Sequence, residues 1–445
     1  MSPTRVFITG IGVAAPTAIG TGPFWRACLD NVASIAPIPA HWLNYHRPAS
    51  TLWAPLPEFD YLQYNINRIE RMQIDMATVL GLCACKQAID NAGFSTSLKD
   101  DKKNTFDIKG IDPSRCGVFM GTGMAGIASF AFNQAFHCFS PIKELLGEGS
   151  RADHLLRMPA RFNPFAVSQI MPNATAASIG IKYSLTGPNT TFANACAAGT
   201  IAIGNGFRAI RSGKCDLAVT GGTEYLADEF GGVFRGFDIA KTLVRDCDEP
   251  EKANRPFDQK RSGFLFAEGG AAMLILESEK HARKRGAAPI AEVAAFAESF
   301  DAHSMMALDT EAGVIKKMIR GALDEAGLTP DQIDYVNAHA TGTQLNDEVE
   351  ARVIDDIFGK RPAVNATKSL IGHAIGASGA IEAAVTALSI RDQAAHACKN
   401  LDTPVRDLNF LISPGPREIR AALKNSFAFG GHNAALIFVR PKSHE

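Results

Sequence analysis

The sequence has no polybasic run, and its 45 Lys+Arg against 46 Asp+Glu leave a formal net charge of −1. That balance points neither to nucleic acid nor to an anionic membrane surface. No C-x-x-C occurs, and the nine cysteines, an odd number, lie scattered. They give no disulfide framework and no zinc site. No segment approaches the ~18 consecutive apolar residues of a membrane span. The start, Met1 to Gly10, has the pattern of a β-strand entering a turn, not of a secretory leader. A reducing cytoplasm is the simplest home for such a chain.

What is present is a chain of 445 residues, 46% hydrophobic and 20% charged, with 39 glycines. That length suits one large domain or two to three smaller ones with a generous core. Strand patterns at Val6–Gly12, Cys116–Gly121, Asp216–Gly222 and Ala271–Leu276 alternate with helical ones, notably Ile69–Ala92. Residues 31–70 read as a surface excursion and Lys99–Asn104 as a charged loop. After Pro289 the alternation begins again, with strands at Ile290–Phe296, Ile333–His339 and Ala435–Arg440 and helices at Val314–Ala326, Asn346–Phe358 and Ala380–Arg391. This predicts an α/β fold with largely buried sheets. Each half runs a strand into a Gly-Thr turn, Gly121-Thr122-Gly123 or Thr341-Gly342-Thr343. Each then opens a helix from a small-residue turn, Cys196 to Gly199 or Gly376 to Ala380. Two pseudo-duplicated halves, 3–285 and 290–440, with a site between them follow.

The pattern centres on Asn194-Ala195-Cys196-Ala197-Ala198-Gly199-Thr200. Cys196 is expected at a strand-to-helix turn, in the first helical turn, where free N–H groups and the helix dipole lower a thiol pKa. Alone, it reads more simply as a small core residue. Its candidate partners are His339 and His373, each among small residues at an expected strand end. A nucleophile with nitrogen donors is a catalytic constellation. The stretch Ser426-Phe427-Ala428-Phe429-Gly430-Gly431-His432-Asn433 offers a tight turn whose N–H groups suit an oxyanion hole; His432 ranks below the other two histidines. The glycine-rich turn Gly121 to Gly126 suggests dinucleotide binding, but no strand with an acidic residue follows at the usual distance, so it reads as a pocket wall. Phe130, Phe132, Phe136 and Phe139 head a stretch to residue 160 that reads either as a packed amphipathic helix or as the lining of an apolar channel.

These motifs, with Arg5–Gly12, Arg255-Pro256-Phe257-Asp258 and Lys368, occur in one order along the chain, and in that order it resembles the β-ketoacyl–acyl carrier protein synthases, most closely the elongating type II group of the thiolase superfamily. The resemblance implies a thiolase-like five-layer αβαβα fold, a dimer, and no metal or other cofactor. It implies that Cys196 takes the acyl chain from an acyl carrier protein, and that His339 and His373 hold the malonyl thioester carbonyl as carbon dioxide leaves. Lys368, with Glu350, would orient the histidines. The N–H groups of Cys196 and Phe429 would form the oxyanion hole, with the Phe429 ring as gate. Phe429, Gly430, Thr341 and Thr343 would bind substrate. Arg71, Arg208, Arg211 and Lys214 are candidates for docking the acidic carrier, with solvated surface charge as the plainer reading.

The family usually has Gly where this chain has Ala267, Ala340 and Ala428. If position 428 needs φ > 0, Ala there costs about 1 kcal/mol and stiffens the gate. Three other readings stand beside elongation. One is a ketosynthase subunit of a type II polyketide or polyene pathway, possibly paired with a cysteine-lacking homologue. The second is a coenzyme-A thiolase, which would need a second cysteine where Phe429-Gly430-Gly431-His432 stands. The third is a non-catalytic partner subunit, against which Cys196, His339, His373 and Lys368 argue.

Overall fold

The computed structural model describes residues 4–139, 162–245 and 249–442. The segment of the phenylalanine-rich stretch beyond residue 139 lies outside the described residues.

Ten strands build the frame. In the first half these are β1 (Val6–Ala15), β2 (Cys116–Gly121), β3 (Asn189–Phe192), β4 (Leu217–Tyr225) and β5 (Gly269–Ser278). In the second they are β6 (Ala291–Phe300), β7 (Tyr335–Asn337), β8 (Ala363–Asn365), β9 (Ala421–Phe427) and β10 (His432–Val439). The order across the first half is β1-β5-β4-β2-β3 and across the second β6-β10-β9-β7-β8. Numbered within each half, both sheets therefore run 1-5-4-2-3. The senses agree as well: the first two pairings are antiparallel and the last two parallel. The sheets join edge to edge, where Val6–Ile8 of β1 pairs with Ala291–Val293 of β6. The repeat expected from the sequence is thus a repeat of topology.

Five helices fill the layers. α1 (Met76–Asn91) covers the outer face of the first sheet, and α3 (Gly313–Ala326) with α4 (Gln344–Phe358) covers that of the second. α2 (Ala198–Arg211) and α5 (Ser378–Asp392) lie between the sheets. The result is the five-layer αβαβα arrangement that the resemblance implied. Every residue of α5 from Ser378 to Ile390 is buried, because this helix meets protein on all sides. The two central helices cross near their starts: a Cβ on Gly199 would stand 2.8 Å from the backbone N of Ala380, and one on Gly379 3.0 Å from that of Thr200. Glycine at both positions lets the helices approach this closely.

Some local readings change. The helix read over Ile69–Ala92 is two, Arg68–Gln73 and α1, split where Asp75 turns to cap α1 by accepting from Ala77 N–H. Lys99–Asn104 belongs to a small hairpin, Thr96–Asp100 with Thr105–Ile108. The tight turn read at Ser426 to Asn433 closes a hairpin of β9 and β10, and Lys424 in β9 is buried despite its charge. Among the described residues no helix is long and apolar enough to cross a membrane.

Candidate active site

Cys196 follows Ala195, whose φ of 45° is left-handed, and sits in a 3₁₀ turn, Ala195–Ala197, that runs into α2. The second half repeats the device: Ile375 has φ 40° and opens the turn Ile375–Ala377 into α5. Both central helices therefore aim their positive ends at one place. His339 lies two residues beyond β7, and Glu350 of α4 accepts from the backbone N–H groups of His339 and Ala340 at 2.8 and 2.7 Å. His373 does not end a strand as expected. It follows a four-residue helical turn, Lys368–Ile371, which also carries Lys368.

The three groups converge. His373 Nε2 lies 3.1 Å from Cys196 Sγ, and the two imidazole rings meet edge to face at 5.6 Å. Lys368 Nζ lies 3.1 Å from His339 Nδ1 and donates to its carbonyl at 2.6 Å. An ammonium can only donate, so Nδ1 accepts and the His339 proton sits on Nε2, facing the cavity. Ser378 Oγ accepts from Ala374 N–H at 2.9 Å and lies 2.9 Å from His373 Nδ1. Its own proton is free for Nδ1, an arrangement that allows a proton on Nε2 of His373. Burial, followed by the charges of Lys368 and Lys424, pushes both histidines well below their ordinary range, so both rings are neutral donors.

The thiol departs from expectation. Burial pushes Cys196 up to about 12, against the opposing pull of Lys368 and of the backbone N–H groups of Phe429 and Cys196 itself. Desolvation outweighs the helix terminus here. The same two N–H groups are those expected to form the oxyanion hole, and both act on the sulfur.

Cys196, His339, His373, Thr341, Thr343 and Phe429 line one cavity of 80 Å³, closed on its outer side by Met306, Leu308 and Leu345. Gly430 is not in this lining; its N–H goes to Met305 O at 2.9 Å, and φ near 83° at Gly430 and Gly431 makes the hairpin turn. His432 stands apart, against Asn194 and the Phe300 ring. Ala428 is not among the left-handed residues, so its backbone carries no strain. Of the three alanine departures only Ala340 does, with φ 36°. Arg208 and Arg211 pair with Glu298 and Glu325 in the last turn of α2, whose other end holds Cys196, and Lys214 follows them. They lie about 20 Å along the helix from the sulfur. Arg71 donates to Ile74 O at 3.3 Å and closes the short helix before α1.

Sequence reasoning missed four groups. Glu382 of α5 is the carboxylate paired with Lys368, and it also pairs with the second group, Lys424, at 2.9 Å. Ser378 is the third, through its contact with His373. Glu224 is the fourth: it accepts from Gly123, Met124 and Gly376 N–H at 2.6, 3.1 and 3.0 Å. The glycines at 121, 123 and 126 have the G-x-G-x-x-G spacing, but this carboxylate fills the amide nest that a phosphate would need. Burial pushes Glu224 up to about 7.

The ligand atoms of Cys196, His339 and His373 lie within 4.8 Å of one another, a set that a thiophilic cation would also fit. Two buried ammonium groups beside it oppose a dication. The arrangement suits acyl transfer better, since a sulfur nucleophile facing two neutral N–H donors and two backbone N–H groups can hold an acyl chain and stabilise an oxyanion next to it.

Known proteins share this chain's full length. A family model described as "Beta-ketoacyl synthase, N-terminal domain" matches residues 4–282, and "Beta-ketoacyl synthase, C-terminal domain" matches residues 290–402. The 3-oxoacyl-[acyl-carrier-protein] synthase 2 of Vibrio cholerae is 34% identical, over 99% of this chain and 100% of that one. A β-ketoacyl synthase from Burkholderia phymatum superposes with a TM-score of 0.83 at 27% identity, covering 99% and 100% of the two chains. A type II polyketide ketosynthase solved in complex with its acyl-carrier protein does so with a TM-score of 0.80 at 26% identity, over 99% and 100%. Matched by both family models and by relatives from end to end, the chain belongs to the β-ketoacyl synthase family of acyl-transferring condensing enzymes.

Proposed function

We propose that the protein is a 3-oxoacyl-[acyl-carrier-protein] synthase that condenses malonyl-carrier protein with an acyl chain held on Cys196, as in fatty acid elongation. The observation that carries this reading is the contact of His373 Nε2 with Cys196 Sγ at 3.1 Å, beside a His339 ring that Lys368 holds as an Nε2–H donor.

In the loading step, Cys196 Sγ attacks the thioester carbonyl of an acyl carrier. The tetrahedral oxyanion lies on the N–H groups of Cys196 and Phe429. The carrier thiol departs with the proton that leaves Sγ by way of His373 Nε2. Ser378 Oγ can accept from Nδ1 or donate to it, so both tautomers of His373 are available. In the second step the malonyl thioester carbonyl accepts from Nε2–H of His339 and His373. The bond to the carboxylate breaks, carbon dioxide leaves, and its electron pair becomes an enolate. The enolate carbon attacks the acyl-Cys196 carbonyl, the C–S bond breaks, and Cys196 is returned as thiolate. Thr341 and Thr343 contact the arm of the carrier, and Phe429 gates the cavity. Glu350 positions His339 through the backbone.

The carrier protein is the expected partner, and a second copy of the chain is another. β3 is a sheet edge with exposed Asn189 and Thr190, which supports pairing across a dimer. A second reading, a polyketide ketosynthase, is favoured by the structural likeness to the ketosynthase solved with its carrier. Incubation with acyl- and malonyl-carrier proteins, followed by mass analysis of the carrier, tests both. A 3-oxoacyl carrier made from saturated acyl donors supports elongation. Product formed only from polyketide donors or only with an added homologous subunit supports the second reading, and no product from any donor refutes both.

A further inference from the structure

Lys424 is used by no step above, and the site residues expected from the sequence do not include it. It lies on β9 with its side chain fully buried, 0% exposed. Its Nζ donates to Thr200 Oγ1 at 3.0 Å and to Asn425 O at 2.6 Å, contacts Ser426 Oγ, and pairs with Glu382 at 2.9 Å. Thr200 is one helical turn beyond Cys196 in α2. Glu382 gives its other oxygen to Lys368, and Lys368 holds His339. The chain of contacts therefore runs from the nucleophile's helix to the histidine pair. It contains two ammonium groups and one carboxylate, so it carries a net positive charge away from water. Burying a second lysine is costly unless it is paired and hydrogen-bonded, and its carboxylate partner is already shared with Lys368.

Where that charge acts is visible at the imidazoles. Lys424 is among the charges that disfavour a proton on His339 and on His373. A field that opposes a positive charge on those rings favours a negative charge on an oxygen they hold. The charges that act on the Cys196 sulfur include Lys368 and Glu224 as the leading ones. The groups that face Lys424 from the packed elements are Glu382 of α5, Lys368 of the helical turn, and, at longer range, Glu350 of α4.

We propose that Lys424 is a second buried cation of the site, a positioning residue that supplies countercharge to the enolate formed on His339 and His373. This rests on the condensing reading of the site. When the carboxylate bond of the malonyl thioester breaks and carbon dioxide leaves, the electron pair is delocalised onto the thioester oxygen. His339 and His373 donate to that oxygen, and Lys424 stabilises the charge through them. The charge disappears again when the enolate carbon bonds to the acyl carbon and sulfur takes the electrons of the C–S bond. No proton is consumed at Lys424.

The inference separates the two half-reactions. Lys424→Met keeps length and removes charge. It is expected to slow decarboxylation of malonyl-carrier protein on the order of tenfold, the equivalent of one pKa unit of interaction. It should change the rate of acyl loading on Cys196 far less. In the same variant His339 and His373 should titrate at higher pH, read by NMR of ring-labelled protein. Equal losses in both half-reactions, or unchanged histidine titration in a folded variant, would assign Lys424 a structural role only. Should Lys424→Met not fold, the unmodified protein decides. Burial sets Lys424 itself down to about 8, so decarboxylation should fall as pH rises past that value while loading does not. A flat profile through that range overturns the proposal. Failure of the condensing reading looks different: the unmodified protein then releases no carbon dioxide from malonyl-carrier protein at any pH.

Discussion

Glu382→Gln is the substitution with the most to say about how the site is held. Glu382 is 0% exposed and is the shared partner of Lys368 and Lys424, whose side chains are 1% and 0% exposed. The amide keeps shape but turns one of the two acceptor oxygens into an NH2 donor and leaves two buried ammonium groups without a counter-ion. Removing one partner of a buried pair costs about 3–5 kcal/mol, mostly as uncompensated charge. An unfolding entropy of about 2.1 cal/mol/K per residue over 445 residues gives about 0.9 kcal/mol/K. The variant should therefore melt roughly 3–5 °C lower near neutral pH. The pH dependence has a definite sign. Lys424 binds its proton less tightly folded, at about 8, than an ordinary lysine does at 10.5. The unfolded chain thus holds more protons between those values, and stability rises with pH across them. Without Glu382 the folded protein sheds that proton still more readily, so the deficit should be largest near pH 6–7 and shrink towards pH 10. Thermal unfolding of both proteins across that range is the assay. A variant as stable as the parent at pH 7, or a deficit that grows with pH, would refute the description of Glu382 as the common counter-ion.

Three further outcomes follow from the geometry. With the thiol raised to about 12, alkylation of Cys196 by iodoacetamide should be slow at pH 7 and keep rising with pH beyond the ordinary thiol range of about 8.5; a plateau below pH 7 would mean that the helix terminus outweighs burial after all. Ala340→Gly should stabilise the fold by up to about 1 kcal/mol, because Ala340 is held at φ 36°, whereas Ala428→Gly should leave acyl preference and transfer rate unchanged; denaturant titration and transfer kinetics check the pair, and a gain at 428 alone would reverse the assignment of strain. Thr343→Val, at the cavity lining, should raise KM for the malonyl carrier severalfold with a smaller effect on kcat, and an unchanged KM would remove Thr343 from carrier binding.

The parts of this fold that the sequence made legible are those with local signatures. Alternating strand and helix patterns, repeated after Pro289, correspond to two sheets with one strand order. Cys196, His339 and His373 sit in short runs of small residues, so their types and neighbours mark them before any distance is known. Glu382 has no such mark: it stands in an alanine-rich helix that reads as plain core, and its partners lie 14 and 42 residues away from it in opposite directions. Lys424 carries no local mark either, and its burial follows only from the topology, which sets β9 between β10 and β7. Ser378 is legible only with a histidine placed five residues before it in space as well as in sequence. Whether position 428 needs a left-handed backbone is not legible in the sequence, because φ follows from how the turn after β9 closes, and Gly430 and Gly431 absorb that turn.

One sulfur, that of Cys196, is expected to carry the acyl chain through a decarboxylative condensation. Intact-mass analysis of the protein after exposure to acyl-carrier proteins, with Cys196→Ala alongside and a chase of malonyl-carrier protein, tests it most directly. The expected result is one acyl adduct per chain, absent from Cys196→Ala and discharged by the chase as a 3-oxoacyl carrier. An adduct that persists in Cys196→Ala, or one that the malonyl carrier fails to discharge, would contradict it.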